Sequence, residues 1–413
     1  MKLAQISKAD SFGGGASRVA EDLTSLINKN GFSAHHLCSW SGKGYNDKDN
    51  RYPLYGRFER EIRFLHAKLK RYSPPELIPF EYIPLIRKIN REDYNLLHFH
   101  DLSSAISPYT LYLLGHKMPI IWTLHDCSPF TGGCLYPMEC KNFMENCGNC
   151  PQSGEWPIDS KIDFTSISRK IKNFLHKSGR LCAITPSKWM SELAYSSGMF
   201  KVKPRVIPNA IDTEKYKPVN KKEIREKLNL PVNRNLILLS AGNFLDERKG
   251  SKYALEGVKK VKHVNPHLVI LGVLDEIGKK LLSEFDYTSV GYVSDTDLLS
   301  LYYGCADIFM HCSLADNQPL SIIESMAMST PIVGFKTGGI VEMVDQNKNG
   351  FLVLQKDINA LADAIELAFE NNNHISWGIS SREKALREYS PEIFLKNHLL
   401  LYEEMIEKNL LQN

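Results

Sequence analysis

No stretch of this chain approaches the eighteen or so uninterrupted apolar residues that a membrane-crossing helix needs. The opening residues, MKLAQISKAD, lack the apolar centre and small-residue cleavage site of a secretory leader. Charge of one sign is also scarce: 51 Lys and Arg stand against 47 Asp and Glu, a net +4, so nucleic acid is not expected as a partner. No internal repeat or low-complexity tract is visible, which argues against a solenoid. The glycines after the first apolar run lack dinucleotide-fingerprint spacing, which disfavours a dehydrogenase. Cysteines number nine, an odd count, and five of them (Cys38, Cys127, Cys182, Cys305, Cys312) lie in strand-like or isolated contexts. That usage suits a reducing compartment, and a cytoplasmic location is expected.

What is present is a long alternation. A chain of 413 residues exceeds one ordinary core, so two domains are expected. Short apolar runs (KLAQIS, NLLHFH, PIIWTL, RLCAIT, PRVIP) alternate with amphipathic stretches in the first half. NLILLSAG, HLVILG, DIFMHC, PIVGF and GFLVL repeat the pattern in the second. Ala16 to Asn28 carries Ala16, Val19, Ala20, Leu23, Leu26 and Ile27 at helical spacing, with Gly31 as a stop, and Ile358 to Glu370 carries Leu361, Ala364, Ile365 and Ala368. Alternating strands and helices predict an α/β fold of two doubly wound parallel sheets. The turn-rich IPNAIDTEKYKPVN separates the two series. Domains are expected at 1–211 and 212–390, followed by a helix over 391–413. Residues 57–91 differ from their surroundings, mixing basic residues with Phe, Leu, Ile and Tyr. They read either as an ordinary solvated helix and loop or as a face for an anionic membrane, at the inner surface of the plasma membrane, or for a lipid-linked substrate.

Candidate functional residues fall at the ends of predicted strands, where open parallel sheets bind ligands. Gly14 and Gly15 would let a backbone approach a ligand beside a helix start. His100 and His125 end neighbouring strands, and Asp126 would orient an imidazole or cap a turn. Arg248 and Lys249 precede Gly250 at a strand-to-helix junction and suit a diphosphate clamp. In SLADNQPLSIIESMA, Pro319 opens a helix whose first amides, at Leu320 and Ser321, are free to meet phosphate, while Glu324 would accept from a ribose. The blander alternatives are tight turns, solvated lysines and acidic residues favouring a helix dipole.

Taken together these residues resemble the retaining glycosyltransferases of family 4, which have the GT-B architecture, in a branch that makes colanic acid and other exopolysaccharides. Asp316 and Glu324 match the family's paired carboxylates, with Asp in place of the first Glu. SKWMSELAYSSGMF and VIPNAIDTEKYKP match its interdomain stretch, with Ala210 where Gly is commoner. WTLHD matches the segment of its active-site histidine, His125, and RKG its basic clamp. The usual second cation is replaced by Asn243, with Arg248 as substitute. The resemblance implies two Rossmann-like domains facing a cleft, with the C-terminal helix crossing back onto the first. It implies an acceptor on the first domain, a nucleotide-sugar on the second, and transfer with retained anomeric configuration and no catalytic metal. His125, Asp316 and Glu324 are then catalytic. Donor contacts are Gly14, Gly15, Arg248, Lys249, Val293, Asn317, Pro319, Leu320, Ser321 and Glu324, with His100 and Asp126 on the acceptor side. A UDP- or GDP-sugar is the expected donor, and a glycan or lipid-linked saccharide the acceptor.

Cys134, Cys140, Cys147 and Cys150 crowd one loop after the histidine strand. Their spacing would close a structural Cys₄ zinc site, pair as two disulfides, or leave free thiols bracing the loop. Two other functions compete with glycosyl transfer: a nucleotide-sugar epimerase of the same architecture, needing no acceptor, and a zinc module for nucleic acid. Only Lys141 accompanies the cysteines, beside Glu139 and Glu145, and this argues against the zinc module.

Overall fold

The structure, a computed structural model, describes residues 1–74, 76–102, 105–178 and 180–411. Among the described residues there are thirteen strands: β1 Lys2–Ser7, β2 Ser33–Cys38, β3 Arg51–Pro53, β4 Leu96–Phe99, β5 Ile120–Thr123, β6 Cys182–Thr185, β7 Arg205–Val206, β8 Asn235–Asn243, β9 Pro266–Val273, β10 Tyr287–Gly291, β11 Ile308–His311, β12 Ile332–Phe335 and β13 Gly350–Val353. They form two all-parallel sheets, ordered β3-β2-β1-β4-β5-β6-β7 and β10-β9-β8-β11-β12-β13. In each sheet the winding reverses once, beside β1 and β4 in the first and beside β8 and β11 in the second.

The chain divides into two compact units, Met1–Pro208 with Phe394–Asn413, and Asn209–Ile393; of the first, 412 and 413 lie outside the described residues. In the second unit, alternate side chains of β8 feed two separate cores. Leu236 and Leu238 pack with Phe309 and Ile323, whereas Ile237 and Leu239 pack with Phe335 and Leu361. Both faces of the strand are therefore buried, which explains its unbroken apolar run. The helices Gly15–Lys29 and Ile358–Phe369 follow the predicted periodicity closely.

Three strands escaped the sequence pattern: β2 (SAHHLC), whose two histidines break its apolar run, the three-residue β3, and the edge strand β10. The helix Pro391–Leu410 returns to the first unit, where Tyr402 and Leu401 are buried and Arg205 pairs with Glu404 (Nη2–Oε1 2.8 Å). Residues 57–91 contain the helices Glu59–Leu69 and Tyr82–Glu92, while Pro75 lies outside the described residues. Phe58, Phe64, Leu65, Tyr72 and Ile83 of this segment are exposed beside Arg60, Arg63, Lys68 and Arg71. Among the described residues no helix is long and apolar enough to cross a membrane.

Candidate active site

In the second unit, the loops after β8 and β11 meet where the strand order reverses. Their backbones are joined directly: Leu314 N–H donates to Arg248 O (2.7 Å), and Ser313 Oγ donates to the same carbonyl (3.1 Å). Gly250 makes this approach possible. Its φ is +68°, and a Cβ there would lie 2.0 Å from the Cys312 carbonyl oxygen.

The joined loops bring Lys249 Nζ to 2.7 Å from Asp316 Oδ2. Arg248 Nη1 donates to Ala315 O at 3.0 Å and stands 3.6 Å from the same carboxylate oxygen, as does His311 Nε2. Asp316 is 7% exposed. Burial alone would raise its pKa, but the charge of Lys249, the contact with His311 and the charge of Arg248 hold the carboxyl well below the usual range. His311, the last residue of β11, is buried, and that burial pushes its own pKa down.

Beyond this cluster, Asn317 and Gln318 are buried, and Gln318 Oε1 accepts from the Asn209 N–H (2.6 Å). Pro319 precedes the helix Leu320–Ala327, and no side chain caps that start. The amides of Leu320 and Ser321 therefore open the helix without an intrahelical acceptor. Glu324 lies one turn further on, 3% exposed, and accepts from Tyr216 Oη at 3.1 Å. Val293, after β10, packs partly against the core of this unit.

In the first unit, Gly14 and Gly15 are exposed at the start of the first long helix, which no side chain caps. Gly14 has φ +107°. His100 and His125 follow β4 and β5 and are joined, Nδ1 to Nε2, at 3.1 Å. His100 is the more enclosed of the two. It is 2% exposed, and its Nε2 meets Gln5 Oε1 at 2.9 Å, so it lies behind His125. Burial pushes His125 down to about 4, with the Asp101 charge opposing, and drives His100 well below the ordinary value. Asp126 caps a turn by accepting from Ser128 N–H (2.8 Å), and burial together with the nearby Asp101 raises it to about 6. Asp101 itself pairs with Lys8 at 2.8 Å.

Cys134, Cys140, Cys147 and Cys150 line one small cavity with Phe143, Ile158 and Thr165. All nine cysteines are unbridged. Among the described residues no three His, Cys, Asp or Glu side chains are grouped to hold a metal ion, so the four cysteines line one cavity without the grouping that the zinc alternative requires. Burial raises Cys134 to about 12 and also raises Cys147 and Cys150, so none of these three is poised as a thiolate.

Several site neighbours were not foreseen. His311 and Tyr216 contact the carboxylates of Asp316 and Glu324, Asn209 bonds Gln318, and Gln5 contacts His100 while Tyr402 bonds Gln5 and His98. For His98 a signal existed: it stands two residues before His100 in the extended run NLLHFH, a spacing that brings side chains to one face.

The family description "Glycosyltransferase Family 4" matches residues 13–215, and "Glycosyl transferases group 1" matches residues 220–391. WcaC of Escherichia coli (strain K12), assigned to colanic acid biosynthesis, is 23% identical over 95% of this chain and 97% of its own. An uncharacterized glycosyltransferase of Haemophilus influenzae is 31% identical over 160 residues, which is 37% of this chain and less than half, 45%, of that protein. Among solved structures, Alr3699/HepE of Anabaena in complex with UDP superposes with a TM-score of 0.71, at 14% identity over 98% of this chain and all of that one. The chain belongs to the family 4, group 1 glycosyltransferases, with their two-domain Rossmann-like GT-B fold.

Proposed function

We propose that this enzyme transfers a sugar from a nucleoside-diphosphate donor to a saccharide acceptor, with retained anomeric configuration, in building a bacterial polysaccharide. One observation carries the reading. Lys249, Arg248 and Asp316 cluster at the strand-order reversal of the second unit, next to a helix start with no side-chain cap and with Glu324 one turn in. When the bond from the sugar to the diphosphate breaks, negative charge grows on the departing phosphate. Lys249, Arg248 and the amides of Leu320 and Ser321 are placed to stabilise it.

Glu324 accepts from the donor ribose, and Asp316 holds sugar hydroxyls with Asn317 beside it. Val293, Pro319, Gly14 and Gly15 complete the donor contacts. His125 positions the sugar or the departing phosphate, and Asp126 lies towards the acceptor. The acceptor oxygen attacks the face that the phosphate leaves, and its proton passes to that phosphate. The carbocation-like sugar is the same species that glycoside hydrolysis passes through. A lipid-linked acceptor is supported by the exposed Phe64, Leu65 and Tyr72 beside basic residues, a composition suited to an anionic membrane surface.

The test is calorimetric titration with UDP-, GDP-, TDP- and ADP-sugars, repeated on Glu324→Ala with any donor that binds. Loss of binding in the variant is expected. If no donor binds, or the variant binds as tightly as the parent, the site is wrong. Donor turnover that needs no acceptor would point to an epimerase instead.

A further inference from the structure

Behind His125 runs a continuous chain of buried hydrogen-bonding side chains drawn from three strands and the C-terminal helix. Gln5 on β1 and His98 on β4 are direct neighbours in the sheet, and the ring of His100, just after β4, lies with its centroid 4.2 Å from that of His98. Five contacts link the chain. His125 Nε2 lies 3.1 Å from His100 Nδ1, His100 Nε2 lies 2.9 Å from Gln5 Oε1, and Gln5 Nε2 donates to Tyr402 Oη at 3.0 Å. Tyr402 Oη lies 2.7 Å from His98 Nδ1, and His98 Nε2 lies 2.7 Å from Thr123 Oγ1. Gln5, His98 and Tyr402 are fully buried, and His100 and Thr123 are nearly so.

Such a chain has little freedom in where its hydrogens sit. A carbonyl oxygen only accepts, so Gln5 Oε1 requires the hydrogen of His100 on Nε2. Neutral His100 then presents a bare Nδ1, which must accept, and His125 must donate to it from Nε2. The lone pair of His125 is thereby placed on Nδ1. On the other side, Tyr402 accepts from Gln5 and gives its own hydrogen to His98 Nδ1, and His98 Nε2 donates to Thr123. Turning over the single amide of Gln5 would reverse every one of these bonds at once. The tautomer of His125 is therefore tied to an amide and a phenol that never reach it.

We infer that Gln5 and Tyr402 are positioning residues that lock His125 in one tautomer, hydrogen on Nε2 and lone pair on Nδ1. The inference rests on the proposed role of His125 only for its effect on catalysis; the lock itself is a property of the fold. Tyr402 comes from the helix that returns to the first unit, so that helix reaches His125 through the chain of hydrogen bonds.

The test uses the full-length enzyme labelled with ¹⁵N-histidine. His125 signals are assigned by comparison with His125→Asn, and ring nitrogen shifts are read in the parent, Tyr402→Phe and Gln5→Met. The parent is expected to show one tautomer, protonated on Nε2, and the two variants a mixture of both. In turnover, kcat should fall about 3- to 10-fold in each variant while the donor KM stays within about 2-fold. Circular dichroism and a thermal melt identify a variant that has unfolded, and the other variant then carries the test. Averaged tautomers in the parent, hydrogen on Nδ1 in the parent, or an unchanged His125 spectrum in both folded variants would overturn the inference. If His125→Asn keeps the parent's kcat while the tautomer result holds, the catalytic reading of His125 fails and the lock stands.

Discussion

Lowering the pH from 7.5 to 5.0 should strongly destabilise the first unit. Its buried imidazoles His36, His176 and His398 are each pushed by desolvation from 6.5 to about 4. A base with a depressed folded-state pKa resists a proton that the unfolded chain accepts readily. Its contribution is therefore complete above about pH 6.5 and is lost as pH falls from there towards 4. At pH 5.0 the unfolded imidazole is nearly all charged and the folded one only about a tenth, a loss of about 2 kcal/mol per residue. Three residues give about 6 kcal/mol, and His98, His100 and His125, all lowered by burial, act in the same direction. Asp126 opposes. Its folded pKa is raised to about 6, so it gains stability as the pH falls through that value, by about 1 kcal/mol. The net loss, about 5 kcal/mol, rivals the whole stability of an ordinary domain. Four of the five tryptophans (Trp40, Trp122, Trp156, Trp189) lie in the first unit, so urea titration followed by tryptophan fluorescence reports mainly on it. The midpoint should drop by roughly 2 M urea between pH 7.5 and 5.0. An equal or higher midpoint at pH 5.0 would refute the reasoning.

Asp316→Asn strips the counter-charge from Lys249 and Arg248 and should cost about 3 kcal/mol, measured by chemical denaturation; an unchanged midpoint would show the cluster to be solvated. Gly250→Ala drives a methyl group against the Cys312 carbonyl at positive φ. It should destabilise the second unit by more than about 2 kcal/mol and weaken donor binding at least 10-fold, and a normal melt with normal calorimetry would contradict this. Titration of the denatured, unreduced protein with a thiol reagent should find nine thiols, and seven or fewer would reveal a disulfide.

The alternation of apolar runs and amphipathic helices was legible because both faces of each sheet are covered, which leaves central strands such as β8 apolar throughout. The helix start after Pro319, with Glu324 one turn in, was equally open to reading, because its residues lie within a few positions of one another. The strands β2 and β3 were not legible, the one interrupted by histidines and the other three residues long. His311 looked like any strand residue until the fold set it 3.6 Å from Asp316. The support behind His125 was hidden for a different reason: Gln5 and Tyr402 are 397 positions apart, and no local pattern encodes their meeting. The cysteine spacing allowed a closed metal site, yet spacing leaves sulfur directions undetermined, and here the four line a cavity without being grouped to hold a metal.

The return of the last helix to the first unit also constrains the order in which the protein is made. Asn209–Ile393 is one continuous segment and can close as soon as it has left the ribosome. The first unit begins earlier but finishes later, because Gln5 and His98 wait for Tyr402, and Arg205 waits for Glu404. During synthesis the His98 and Gln5 face of the first sheet stays uncovered while some three hundred further residues emerge, on the order of half a minute. A nascent chain stalled after Ile393 would thus hold a finished second unit and an unfinished first one.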